Sequence, residues 1–200
     1  PCGNELGGVN KNTYESIFLL EAIGFDFVIV ESTGVGQSEH ALHDMVDIFV
    51  YMHMPATGDE IQAMKKGILE LSDMIVIGKA DHDLKEEAFL CAAEFKKTLS
   101  LLGRDTQVLT ASAPKKEGIE EIWQAIEFIK TRDQISGHTA KRRHEQLKKW
   151  FRTETHSAVH DYISQKLFQS KNFAEVEKKV LAGELLPHKA CTFIVDHFLT

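Results

Sequence analysis

The sequence predicts an α/β fold: a parallel sheet flanked by helices, followed by an all-helical C-terminal extension. Two observations carry this. Short apolar runs at residues 25–30, 45–54, 74–77 and 107–109 alternate with helical stretches. Past about residue 133 the strand pattern stops and long helical periodicity takes over. Alternating β and α elements imply parallel strands joined by right-handed crossovers.

Taken in order, a helix is expected over 13–23, feeding the strand at 25–30 (FDFVIV). A continuous apolar run of that length, bounded by Gly, suits a strand buried on both faces. A second strand is expected over 45–54, then a helix over 59–71 with Asp59 as its cap or first-turn acid and Lys65 and Lys66 solvated. The strand at 74–77 follows, then a helix within 84–102, the strand at 107–109 and a helix over 117–130. The set amounts to about half of a doubly wound α/β domain, placing one domain part at 1–133 and a helical arm at 134–200. In the arm, Ser136-Gly137 punctuates before a long helix over 139–169. Leu147, Phe151, Val159, Ile163 and Leu167 fall at multiples of four there, a stripe that must bury against something. Helices over 173–182 and 187–199 close the chain, with Gly183 between them and Pro187 suited to a first turn.

The strand ends carry the chemistry. In open parallel sheets, ligands bind outside the carboxyl ends of the strands. The first run ends in Glu31-Ser32-Thr33-Gly34, where a carboxylate can hold Mg²⁺ or its waters and a Gly lets a backbone N–H approach a phosphate. The run at 74–77 ends in Gly78-Lys79-Ala80-Asp81. An acid there can accept from the ring N–H and amino group of guanine, while a Lys stem covers the base face. The third ends in Ala111-Ser112-Ala113-Pro114, whose small residues let backbone N–H groups reach a base edge. Three such ends in sequence point to one nucleotide site.

These stretches resemble the MeaB/ArgK family of P-loop GTPases, chaperones of cobalamin-dependent acyl-CoA mutases. The matching segments are LGGVNKNTYESIFLLEAIGFDFVIVESTGVGQSE, GDEIQAMKKGILELSDMIVIGKAD, SAPKKEGIEEIW and the tail RRHEQLKKWF…VLAGELLPHKA. The resemblance runs from Leu6 to the C-terminus. It implies GTP/GDP and Mg²⁺ as cofactors. Glu31 would act in the Mg²⁺ shell, Gly34 would sense the γ-phosphate, and Lys79, Asp81, Ser112, Ala113 and Pro114 would frame guanine. Gln37 stands where other GTPases place a water-orienting residue. Asp59, Gln62 and Lys65 fall in the segment that couples nucleotide state to the client mutase. The helical tail implies a homodimer.

Two departures qualify the resemblance. No Gly-x-x-x-x-Gly-Lys-Ser/Thr occurs in these residues; Lys precedes Thr at Lys97 and Lys130, and neither Lys follows a Gly. The chain is therefore expected to be the C-terminal part of a longer protein, inactive in hydrolysis by itself. Gly78 stands where the family pattern Asn-Lys-x-Asp has Asn, which braces the loop and contacts the base through its amide. Losing one such hydrogen bond costs on the order of 1 kcal/mol.

Bulk properties narrow the partners. The net charge of −7 and pI near 5.8 argue against nucleic acid and anionic membrane. Three scattered cysteines form no disulfide framework or metal motif. No apolar run is long enough to span a bilayer. The expected location is the cytoplasm, or the mitochondrial matrix in a eukaryote. The pairs His156/His160 and His40/His43 could ligate a metal, but neither has a complete ligand set beside it. Two hypotheses remain: a GTPase chaperone of a cobalamin-dependent mutase, or a non-catalytic assembly module keeping the client and dimer surfaces. No kinase catalytic loop is visible.

Overall fold

The computed structural model describes residues 11–32, 38–55 and 66–198. The chain divides into two compact units, with the boundary between Gln146 and Leu147.

The first unit contains a three-stranded parallel sheet in the order β1 (Val50–His53), β2 (Met74–Ile77), β3 (Gln107–Thr110). The register pairs Val50 with Met74 and Met74 with Gln107. Helices α1 (Lys11–Ile23) and α2 (Ser38–His43) precede β1, and α3 (Lys66–Leu71) leads into β2. A 3₁₀ turn (His82–Leu84) and α4 (Lys85–Leu101) connect β2 to β3, and α5 (Ile119–Ile135) follows β3.

β2 is the centre of the sheet, and its alternation divides the core. Ile75 and Ile77 face Ala88, Cys91, Ala92, Phe95 and Leu99 of α4, which recur at helical spacing. Met74 and Val76 face Ala125 and Ile129 of α5 on the opposite side. All four β2 residues are buried, as expected for a parallel strand covered on both faces. A third cluster, Leu42, Met45 and Phe49, packs with Ile17, Val30, Ile68 and Leu71.

Two expected strands change. Residues 25–30 carry no strand ladder. A strand exists only through a hydrogen-bonded partner, and among the described residues β1 pairs with β2 alone. The run is instead held by side chains. The Phe27 ring lies 4.5 Å from that of Trp123, and the Lys130 ammonium sits 4.1 Å from the Phe27 ring centre. Phe25 and Ile29 stay exposed. The run at 45–54 shortens to Val50–His53. Residues 44–49 turn, with Met45 and Phe49 spent on the third core cluster.

The predicted helices at 13–23, 84–102, 117–130, 139–169, 173–182 and 187–199 all form, within a few residues of their expected ends. Of the helix expected over 59–71, residues 66–71 are described; Asp59, Gln62 and Lys65 lie outside the described residues. Helix α2 is an addition that sequence reasoning missed.

Helix α6 (His138–Phe168) runs across the boundary between the units. Its first turns are fixed within the first unit by charge. Arg142 donates to Asp73 Oδ2 at 2.9 Å and to the Asp47 carbonyl oxygen at 2.5 Å. Arg143 donates to the Asp47 carboxylate and to Glu21. Gln146 donates to the His43 and Val46 carbonyls at 3.0 and 2.9 Å.

In the second unit, α7 (Lys171–Leu181) packs on α8 (Pro187–Phe198), with Val176 and Ala190 buried. Ser170 caps α7 by accepting from the Phe173 N–H at 3.1 Å. Leu147, Phe151 and Val159 of the α6 stripe are exposed, as is neighbouring Tyr162.

Candidate nucleotide-binding site

The structure brings two of the three predicted strand ends together. β2 and β3 finish side by side, and the pairing continues past the ladder. The Ala111 N–H donates to the Ile77 carbonyl at 2.8 Å, and the Ala80 N–H to the Ala111 carbonyl at 2.9 Å. This register sets Asp81 directly against Ser112.

Ser112 is fully buried, and its hydroxyl donates to Asp81 Oδ2. The same oxygen accepts from the Lys115 N–H at 3.2 Å. A hydroxyl that both gives and receives cannot rotate freely, so it fixes the carboxylate. Asp81 is 9% exposed. Among the described residues its other oxygen, Oδ1, has no partner, which leaves that oxygen to accept from a ligand.

The loop after β3 is closed on itself. Ser112 and Glu117 exchange backbone hydrogen bonds at 2.9 and 3.1 Å, and the Lys116 N–H donates to the Ala113 carbonyl. Lys116 takes a positive φ of 55° to make the turn. Gly118 then opens α5 at φ +77°, and a Cβ there would stand 2.2 Å from the Thr110 carbonyl oxygen. Only glycine fits, for conformation and for clearance. Gly118 was not singled out from the sequence; its place between a strand end and an acidic helix start was the signal. Ala113 and Pro114 are exposed at the loop tip, and among the described residues the Ala113 N–H has no acceptor.

On the β2 side, Lys79 is exposed and adopts φ +52°, and His82 φ +46°. Two left-handed non-glycine residues within four positions mark a backbone held against its preference, a cost that clusters at functional sites. Gly78 does not share that strain. Its N–H donates to the His53 carbonyl at 2.7 Å, and a Cβ would meet that oxygen at an ordinary 3.7 Å.

The third predicted strand end is described only as far as Ser32. Glu31 is exposed and, among the described residues, makes no hydrogen bond or ion pair. Gly34 and Gln37 lie outside the described residues. Among the described residues no group of three or more His, Cys, Asp or Glu could hold a metal ion, and His156 and His160 are both exposed. None of the described helices is long and apolar enough to cross a membrane. A pocket of about 280 Å³ lies beside Ser112, on the side of Phe89, Lys85 and Glu121.

A three-stranded parallel sheet flanked by helices, with an acid and a serine-anchored loop at adjacent strand ends, is an α/β fold of the P-loop GTPase class. The solved structure titled "LAO/AO transport system kinase" superposes with a TM-score of 0.72 at 32% identity, covering 95% of this chain and 63% of that one. The family described as methylmalonyl Co-A mutase-associated GTPase MeaB matches residues 1–168, and the chain belongs to that family. It is 38% identical to a probable GTPase of Mycobacterium tuberculosis, over 98% of this chain and 60% of that protein. It is 37% identical to the mouse protein named methylmalonic aciduria type A homolog, mitochondrial, over 99% of this chain and 49% of the mouse protein. GTPase ArgK of Escherichia coli is also 37% identical, over 90% of this chain and 55% of its own length. The chain thus spans about half to three-fifths of these relatives.

Proposed function

We propose that the full-length protein binds and hydrolyses GTP and, through that cycle, assists assembly or protection of a cobalamin-dependent acyl-CoA mutase. The observation that carries the nucleotide part is the Asp81 carboxylate, held by Ser112 beside the exposed Ala113 N–H. That donor and acceptor set fits guanine, whose N1–H and amino group need a carboxylate and whose O6 needs a donor. The Lys79 stem would cover the base face, and Pro114 would stiffen the loop tip. The mutase part rests on the family description.

Mg²⁺ would enter with the nucleotide phosphates. Glu31 is a single carboxylate and suits a water-mediated place in the ion's shell, because Mg²⁺ keeps several waters and takes few protein ligands. Gly34 would sense the γ-phosphate and Gln37 would orient the attacking water. Asp59, Gln62 and Lys65 would couple nucleotide state to the mutase. Catalysis would be positioning and charge neutralisation. We further propose that residues 134–200 form a homodimerisation arm, supported by the exposed Leu147, Phe151 and Val159. The expected compartment is the cytoplasm, or the mitochondrial matrix in a eukaryotic source.

A second proposal, a non-catalytic assembly module, draws support from the lack of a Walker A motif in residues 1–200 and from Gly78. One experiment separates the two. The native polypeptide is isolated from its source, its intact mass is compared with 22.5 kDa, and its GTP turnover is measured with and without the mutase. A heavier chain that turns over GTP supports the chaperone GTPase. A 22.5 kDa chain that binds the mutase without turnover supports the module.

A further inference from the structure

The turn at residues 44–49, between α2 and β1, is gripped by one turn of α6. Gln146 spends both amide hydrogens on it, donating to the His43 and Val46 carbonyls at 3.0 and 2.9 Å. His43 closes α2, and the last carbonyls of a helix have no partner within it, so this side chain caps α2. Arg143 holds the Asp47 carboxylate as a two-point fork, through Nε at 2.7 Å and through Nη2, and reaches Glu21 of α1 at 2.8 Å. Arg142 donates to the Asp47 carbonyl. Beneath the turn lies an apolar cluster that joins Met45 and Phe49 to Leu42 of α2, to Val30 beside Glu31, and to Ile68 and Leu71 of α3. Among the described residues none from α6 enters that cluster, so α6 meets the turn through polar, directional bonds.

We propose that the 44–49 turn is a coupling element, which passes the nucleotide state to α6 through Arg143 and Gln146. This rests on the nucleotide proposal above, in which Glu31 stands in the Mg²⁺ shell. Val30, the residue before it, packs in the cluster under the turn. A shift of Val30 or of α2 displaces Met45 and Phe49, because a close-packed cluster transmits strain. The His43 and Val46 carbonyls and the Asp47 carboxylate move with the turn, so their bonds to α6 must be remade or lost. Hydrogen bonds weaken steeply with distance and angle, and a small displacement is enough to release them. α6 continues from Gln146 to Phe168 as one helix and carries the exposed Leu147, Phe151 and Val159. The helix that holds the turn is thus the helix that presents the stripe proposed for dimerisation. Linkage makes the effect reciprocal: an event on α6 that favours one nucleotide state changes nucleotide affinity by the same factor.

The test is backbone hydrogen exchange, read by mass spectrometry, on the full-length protein loaded with GDP or with Mg²⁺ and a non-hydrolysable GTP analogue. In the unaltered protein, residues 38–49 and 139–152 are both expected to exchange at rates that differ between the two nucleotides, by about fivefold or more. In the double variant Arg143→Ala/Gln146→Ala, residues 38–49 should keep that response and residues 139–152 should lose it. His144→Ala, an exposed change on the same turn of α6, should leave both responses intact. If Arg143 and Gln146 were structural anchors only, the double variant would raise exchange in both segments equally with either nucleotide. That result would overturn the inference, as would a response at 139–152 that survives the double variant. A response confined to 38–49 in the unaltered protein would overturn it too. Failure of the unaltered protein to bind either nucleotide would overturn the nucleotide proposal and this inference with it, and the binding measurement shows that outcome apart from the exchange data.

Discussion

The Ser112 hydroxyl donates to the Asp81 carboxylate, tying together two residues 31 positions apart at the ends of neighbouring strands. Removing the hydroxyl leaves Asp81 in place but free to turn. Ser112→Ala is expected to weaken GDP binding about tenfold to 150-fold, the range for a hydrogen bond to a charged group. The GDP-to-xanthosine-diphosphate ratio should fall with it. A merely structural defect would lower both affinities alike, so the ratio decides between them.

Gly118 is expected to tolerate no side chain. Gly118→Ala places a Cβ 2.2 Å from a backbone oxygen at φ +77°, so the β3–α5 connection must shift. The expected loss is about 2–4 kcal/mol, combining left-handed strain with a backbone clash. Urea denaturation measures it; a loss under about 0.5 kcal/mol would mean that the loop relaxes freely.

The two arginines that open α6 are expected to differ. Arg142 and Asp73 have side chains 10% and 17% exposed, and Asp73 also receives the Phe49 N–H at 2.8 Å. Arg142→Met would leave a half-buried carboxylate short of its counter-charge, at about 2–4 kcal/mol. Arg143 is 49% exposed, and its pairs with Asp47 and Glu21 should be worth at most about 1 kcal/mol. Thermal unfolding of the two variants should rank them in that order.

Burial, and then the Arg142 guanidinium, hold His43 below its ordinary value of 6.5, against the opposing pull of Asp44 and Asp73. The unfolded chain therefore takes up a proton at a higher pH than the folded one. Stability is full above about pH 6.5 and is lost as the pH falls from there towards the folded value. His43→Gln should flatten the decline between pH 7 and pH 5.5. An unchanged slope in urea titrations would assign the decline to other groups.

Much of this architecture was legible in the chain. The run 74–77 reads as a strand buried on both faces because all four residues are apolar, and the acid that follows it marks the candidate site. Residues 25–30 look equally strand-like, yet they form none among the described residues. Hydrophobicity encodes burial, whereas a ladder needs a neighbour that local sequence cannot supply. Residues 45–49 were misread for a related reason: Met45 and Phe49 are apolar to fill a core beside a turn, not to alternate along a strand. The Asp81–Ser112 pairing was readable as two strand ends but not as a bond, because register decides it. Gly118 went unseen because its necessity lies in the approach of Thr110, which only the folded chain reveals.

The guanine site is tested most directly by the base preference of full-length protein carrying Asp81→Asn. GDP and xanthosine diphosphate affinities are measured for both proteins. An amide in place of the carboxylate offers the xanthine 2-oxo group the donor it needs and denies the guanine amino group its acceptor, while its carbonyl oxygen still accepts from N1–H. The unaltered protein should prefer GDP, and the variant should prefer xanthosine diphosphate, with a swing of about tenfold to hundredfold for a two-hydrogen-bond contact. GDP bound equally well by both proteins, with no gain for xanthosine diphosphate, would remove Asp81 from base recognition and contradict the account.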